Sequence, residues 1–310
     1  MPEFSPAFAG GEPDDLKDLM AEEARQLSLY ERPKNIRITN TSVAGSETQI
    51  PVRLYQPVDA SGELSAGPHP LFIWFHGGAF VFGNIDMGEA EFTACEIASR
   101  ANAVVISVDY RLANPFVRFP APQVDALDVL LWARENAGNL KADANNVFIG
   151  GGSAGACLSG ALSLMARDRG IELKGVLPIY PLAHEELPAM SDEVAKLVEG
   201  IHYLTQEFCR LHNGWLIEGV AAQTAAQRHC FPGDSADKSG QAPFLVIHAE
   251  RDSLRATGEL WVQQLRASGV WVDEMIEPGA LHGYLSMGPS DAGANHTLDV
   301  MARWIKARSK

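Results

Sequence analysis

The chain has 310 residues, 46% of them apolar and 21% charged, which suits a globular protein with a sizeable buried core. Its formal net charge is −14 and its pI is near 5.1. That balance leaves no basic footprint, so nucleic acid and anionic membrane surfaces are not expected partners, and neutral substrates are favoured over anionic ones.

Met1–Gly11 lacks a basic stretch followed by an apolar core, and no apolar run is long enough to span a bilayer, so neither a secretory leader nor a membrane span is expected. Glu12–Tyr30 sets Leu16, Met20, Ala24 and Leu27 at helical spacing. Ile36–Thr39 and Ile50–Tyr55 alternate as half-exposed strands do, with Gly45 in the turn between them. A hydrophilic loop with Gly62, Gly67, Pro68 and Pro70 leads to the apolar strand Leu71–Phe75. Apolar strands and helical stretches then alternate: strand Val104–Val108, helix Asp125–Asn136, strand Asn146–Gly150, helix Ser153–Arg169 and strand Gly175–Tyr180. Further on come strand Phe244–His248, helix Arg255–Ala267, strand Val270–Ile276 and helix Ala292–Ala307. Strands this apolar are buried on both faces, which predicts an α/β fold: a mostly parallel sheet with helices on both sides. Residues 1–35 and 184–240 are more polar and helical and break the alternation. They are read as two parts of a cap over the carboxyl ends of the strands, where open α/β sheets take ligands; 36–183 and 241–310 form the catalytic domain.

Cys95, Cys157, Cys209 and Cys230 are widely spaced, with no C-x-x-C, and read as reduced, mostly buried thiols of a cytoplasmic protein. No H-x-H or HExxH pattern occurs, so no metal or other cofactor is expected.

Two short motifs carry chemistry. Gly151-Gly152-Ser153-Ala154-Gly155 lies between an apolar strand and a small-residue helix, the setting of a G-x-S-x-G nucleophile elbow. His76-Gly77-Gly78-Ala79 directly follows Leu71–Phe75 and offers backbone N–H groups for a developing oxyanion. Ser153 is the expected nucleophile. His282, after the last strand and flanked by Gly279 and Gly283, is the expected general base and then acid. Asp252, just past Phe244–His248, is the expected orienting acid, and it could also cap the following helix. Glu250 is its rival, because side chains two apart in an extended segment share a direction. His184, His202 and His212 fall in the cap segment and His248 in a strand; all four read as surface or packing residues.

Five motifs in order resemble the hormone-sensitive-lipase family of α/β-hydrolases, its bacterial carboxylesterases in particular, over roughly residues 36–308. They are His76–Phe80, Ser107–Ala113, Gly151–Gly155, Ala249–Arg255 and Leu281–Tyr284. The resemblance implies the α/β-hydrolase fold with a helical cap. It implies a catalytic triad of Ser153, Asp252 and His282, and an oxyanion hole built from Ala154 with Gly77, Gly78 and Ala79, the last two favoured. His76 is then a structural holder of the loop, and Asp109, Tyr110 and Arg111 are anchors at a strand end. The implied activity is a serine ester hydrolase acting on small neutral short-chain or aryl esters through an acyl-enzyme, in a pocket lined by residues such as Phe80 and Phe82. Amide, lactone or carbamate hydrolysis by the same triad is the alternative. Ligand binding without catalysis is less favoured, because gibberellin receptors, which resemble this family, lack the histidine that His282 supplies here. Relatives often pair along the last strand, so a homodimer through Val270–Ile276 is expected.

This sequence departs from the family pattern in four places. Ala79 replaces a glycine, which predicts an ordinary backbone there, because φ > 0 is costly for alanine. Gly152 stands where relatives often carry an acidic residue, which predicts loss of a charge near the nucleophile. Ala156 replaces another glycine, and Asn114–Phe119 replaces a proline-acidic stretch.

Overall fold

The computed structural model describes residues 14–201, 206–218 and 229–309. Met1–Gly11, His202 and part of the second cap segment lie outside the described residues.

Eight strands form one sheet: β1 (Ile36–Ala44), β2 (Gln49–Pro57), β3 (His69–Phe75), β4 (Val104–Val108), β5 (Ala142–Gly152), β6 (Gly175–Ile179), β7 (Phe244–Arg251) and β8 (Val272–Leu281). Their order is β1-β2-β4-β3-β5-β6-β7-β8. β1 and β2 are antiparallel to each other, β2 is antiparallel to β4, and β4 through β8 run parallel. The helices are α1 (Asp14–Leu29), α2 (Gly88–Ala101), α3 (Ala121–Glu135), α4 (Ala137–Leu140), α5 (Ala154–Asp168), α6 (Asp192–Leu197), α7 (Gln206–Ile217), α8 (Arg255–Ala267) and α9 (Ala292–Arg308).

The two-residue period of a strand divides the core into two layers. In β3, Leu71, Ile73 and Phe75 enter the layer that holds α3, α5 and α8, while Phe72 and Trp74 enter the layer that holds α2 and α9. Both faces are therefore covered, as the continuous apolar runs require. α5 presses close because its residues are small: a Cβ on Gly160 would lie 2.5 Å from the Trp261 ring. α9 starts where the Asp291 carboxylate accepts from the Ala294 N–H at 2.8 Å, an N-cap.

α2 is absent from the elements read off the sequence. Its buried face carries Glu89, Glu91, Thr93 and Glu96 as well as apolar residues, so no amphipathic stripe marks it.

Three helices lie outside the alternation. α1 sits against α2 and the 3-10 segment Tyr284–Ser290; Glu23 accepts from the Gly88 N–H, and Gln26 accepts from the Ser290 hydroxyl at 2.5 Å. The end of α6 meets the end of β7, where the Arg251 Nε–H donates to the Leu197 carbonyl at 3.3 Å. α7 is tied down by the Phe119 N–H donating to the Leu216 carbonyl at 2.9 Å. His184 and His212 are both buried: His184 is hydrogen-bonded to the Thr257 hydroxyl of α8, and His212 to the Phe208 carbonyl one turn back in α7. β8 is a sheet edge and leaves Ile276 exposed, as is Trp271 just before it.

Candidate active site

Ser153 is the single residue between the end of β5 and the start of α5, with φ 55° and ψ −115°. Such sparsely populated backbone costs a serine on the order of 1–3 kcal/mol, and its neighbours hold it there. The Ser153 N–H donates to the Ile179 carbonyl at 3.0 Å. A Cβ on Gly151 would lie 2.3 Å from the Gly155 carbonyl oxygen, and one on Gly155 would lie 2.0 Å from the Phe75 carbonyl oxygen. Only glycine fits at either place, so the turn is as sharp as a nucleophile elbow needs.

β5, β6, β7 and β8 are successive neighbours, so their carboxyl ends open onto one place. Asp252 follows β7 and His282 follows β8, with Gly283 at φ 77° completing the turn. His282 Nε2 lies 2.8 Å from Ser153 Oγ, and His282 Nδ1 lies 2.8 Å from Asp252 Oδ2. The network assigns the neutral tautomer: Nδ1–H donates to the carboxylate and Nε2 accepts the serine proton. Asp252 is 1% exposed, and its Oδ1 also accepts from the Leu254 N–H at 2.8 Å, so it shapes the entry to α8 as well. Glu250 does something else. The β7–β8 register is irregular between Ala249 and Arg251, and Glu250 Oε2 accepts from the Gly279 N–H at 2.7 Å, pinning the strand that leads to His282.

The loop after β3 differs from expectation at Gly77, Ala79 and Phe80. Gly77 does not offer its N–H to a ligand: it donates to Glu89 Oε1 at 2.8 Å. Among the described residues, no group accepts from the N–H of Gly78, Ala79 or Ala154. Ala79 does not keep an ordinary backbone; it has φ 50° and Phe80 has φ 64°. The loop folds back on itself, with the Val81 and Phe82 N–H groups both donating to the Gly78 carbonyl and the Ala113 N–H donating to the Phe80 carbonyl at 2.7 Å. These bonds hold the left-handed residues in place. Phe80 is a core residue at 1% exposure, edge-on to Tyr110, and not a pocket wall; Phe82 is half-buried.

Anchors surround the loop. The His76 Nδ1–H donates to the Gly77 carbonyl at 2.6 Å, its ring stacks on Tyr110, and the Tyr110 hydroxyl donates to the His76 carbonyl at 2.8 Å. Burial pushes the His76 imidazole down to about 4, so it stays neutral. Arg111 grips the buried Asp125 and reaches Glu47.

Gly152 does not leave the nucleophile without a nearby carboxyl group. A Cβ there would lie 2.5 Å from Glu89 Oε2, so a carboxylate from α2 fills the space. Glu89 Oε2 accepts from the Tyr180 hydroxyl at 2.9 Å, and the Tyr180 ring stands edge-on to His282 at 4.9 Å. Burial pushes the Glu89 carboxyl up to about 7, opposed by the bonds from Gly77 and Tyr180. Sequence reading missed Glu89 and Tyr180; the one signal was the unusual glycine at position 152. All four cysteines are buried free thiols. No cluster of three metal-ligating side chains forms among the described residues, and no helix there is long and apolar enough to cross a membrane.

Residues 72–286 match the family described as alpha/beta hydrolase fold. The chain is 32% identical over 244 residues to the carboxylesterase NlhH of Mycobacterium tuberculosis, covering 77% of this chain and 72% of that protein. It is 29% identical to an arylesterase of Saccharolobus solfataricus over 76% of this chain and 73% of that one. Among solved structures it resembles EstE1, a thermostable carboxylesterase from a metagenomic library, with a TM-score of 0.83, 26% identity and coverage of 97% and 99%.

Proposed function

The chain belongs to the hormone-sensitive-lipase family of α/β-hydrolases and is a carboxylesterase, and from that premise we propose that it cleaves small neutral short-chain or aryl esters through Ser153, His282 and Asp252. Ser153 Oγ attacks the acyl carbon while His282 Nε2 takes the hydroxyl proton. Asp252 holds the Nδ1–H tautomer and stabilises the imidazolium. The carbonyl oxygen, now negative, receives the N–H groups of Ala154, Gly78 and Ala79, whose donors need no reorganisation as charge develops. Collapse breaks the ester C–O bond, and the imidazolium hands its proton to the departing alkoxide. Water then attacks the acyl-enzyme, gives its proton to Nε2, and the serine recovers it as the acid leaves. α1, α6 and α7 cap the carboxyl ends of the strands and limit the substrate to small groups.

The observation that carries this reading is the unbroken relay of two 2.8 Å contacts from the Ser153 hydroxyl to a buried carboxylate. Ser153→Ala retains the fold by circular dichroism and loses p-nitrophenyl acetate hydrolysis by about 10⁴-fold or more. Full activity in that variant would remove Ser153 from the chemistry.

A further inference from the structure

Glu89 is a buried carboxylate beside the relay that the acyl-transfer cycle does not use. One oxygen accepts from the first N–H of the oxyanion loop, Gly77, and the other from the hydroxyl of Tyr180. Tyr180 is itself held in left-handed backbone at φ 37°, with its ring against both His282 and Tyr284. A single side chain from α2 thus spans the two halves of the site. Two glycines make room for it: a Cβ on Gly152 would meet Oε2 at 2.5 Å, and one on Gly77 would meet the same oxygen at 3.0 Å.

We propose that Glu89 is a positioning residue for ester hydrolysis, a carboxylate that locks the oxyanion loop to the tyrosine behind His282. This rests on the acyl-transfer reading above. The ionised form accepts both hydrogen bonds with full charge assistance; a proton on Oε2 turns the Tyr180 bond round and leaves Oε1 a neutral, weaker acceptor for the Gly77 N–H. The titratable groups facing it are His282, Tyr180 and Tyr110 at the strand ends and Glu23 of α1. Burial is the largest influence on its ionisation and holds its pKa at about 7. Falling pH therefore loosens the loop by uptake of one proton at Glu89, besides the proton that must be absent from His282 for it to act as a base.

The test is p-nitrophenyl acetate kinetics across the neutral range on wild type, E89Q, E89A and the double variant E89A/G152D. Fluorophosphonate labelling of Ser153 is counted by mass in the same samples. E89Q keeps an acceptor for Gly77 but cannot ionise. Its kcat falls about tenfold on the alkaline plateau with KM within about twofold, since positioning acts on the transition state. Its acid limb loses the ionisation at Glu89 that the wild-type limb carries. E89A loses about 100-fold, and G152D in that background, which hangs a carboxylate from the elbow in the vacated space, recovers about tenfold of it. If the alanine variants do not fold, E89Q alone decides. Wild-type kcat with an unchanged acid limb in E89Q overturns the role of Glu89; full Ser153 labelling in the same samples shows that the acyl-transfer reading survives. An active wild type that takes no label at Ser153 overturns that reading and the proposal with it.

Discussion

Ionising Glu89 inside the fold costs free energy that the unfolded chain does not spend. The ordinary carboxyl titrates at 4.5 and the buried one at about 7. The folded state therefore binds the proton more tightly. Below about 4.5 this group costs nothing; the cost grows as pH rises and is complete above about 7, where it is on the order of 3 kcal/mol. E89Q removes the ionisation. Its stability relative to wild type, measured by urea denaturation, should rise between about pH 5 and pH 8 and then level off; a difference that does not change with pH contradicts a buried, titrating carboxylate. The same neighbourhood carries Ala79, Phe80, Ser153 and Tyr180, all non-glycine residues at positive φ. Such strain gathers at functional sites, where surrounding structure over-determines the backbone. Ser153, Asp252 and His282 were legible in the sequence because each sits at a marked place, the elbow or the residues just after a strand. Glu89 was not, because its contacts are with residues remote in sequence and its own helix bears no pattern.

α2 explains that gap at the scale of the element. It is buried along most of its length yet carries three glutamates on buried positions. Glu91 takes the Tyr55 hydroxyl at 2.7 Å, Arg53 at 3.0 Å and Arg32 at 2.5 Å, so α2 is pinned to β2 and to the segment after α1 by one carboxylate. A helix whose buried side is satisfied by ion pairs has no hydrophobic stripe, and periodicity cannot find it. Replacing Glu91 by alanine leaves the largely buried Arg53 and the Tyr55 hydroxyl without that partner. It should destabilise the protein by about 3 kcal/mol in urea denaturation, as breaking a buried pair does; a loss below about 0.5 kcal/mol would mean that the pair contributes nothing net. The apolar strands behaved differently. β4 and α8 match their sequence-read limits, because full burial on both faces and a strong stripe leave little ambiguity. β8 runs on to Leu281, beyond the apolar part that marks it in sequence, since its later residues pair with β7 while half-exposed.

At the scale of the whole molecule, the sheet order does the assembling. Ser153, Asp252 and His282, the proposed nucleophile, acid and base, follow β5, β7 and β8, three strands of one parallel run whose carboxyl ends share an edge. Of the helices outside the alternation, α7 is held by the bond from Phe119 and α6 by the bond from Arg251. Their sequence is polar and irregular, which is why the fold of the sheet was legible and the shape of the substrate pocket was not. The net charge of −14 suits small neutral substrates that need no steering by a charged funnel.

The most direct measurement is covalent trapping: the wild-type enzyme treated with a fluorophosphonate, with intact mass and peptide mapping followed alongside residual esterase activity. Acyl transfer through the His282-activated serine predicts one phosphonyl group per chain, carried on Ser153, with activity lost in proportion to labelling and labelling abolished in H282A. An active enzyme that takes no label, or takes it on another residue, would contradict it.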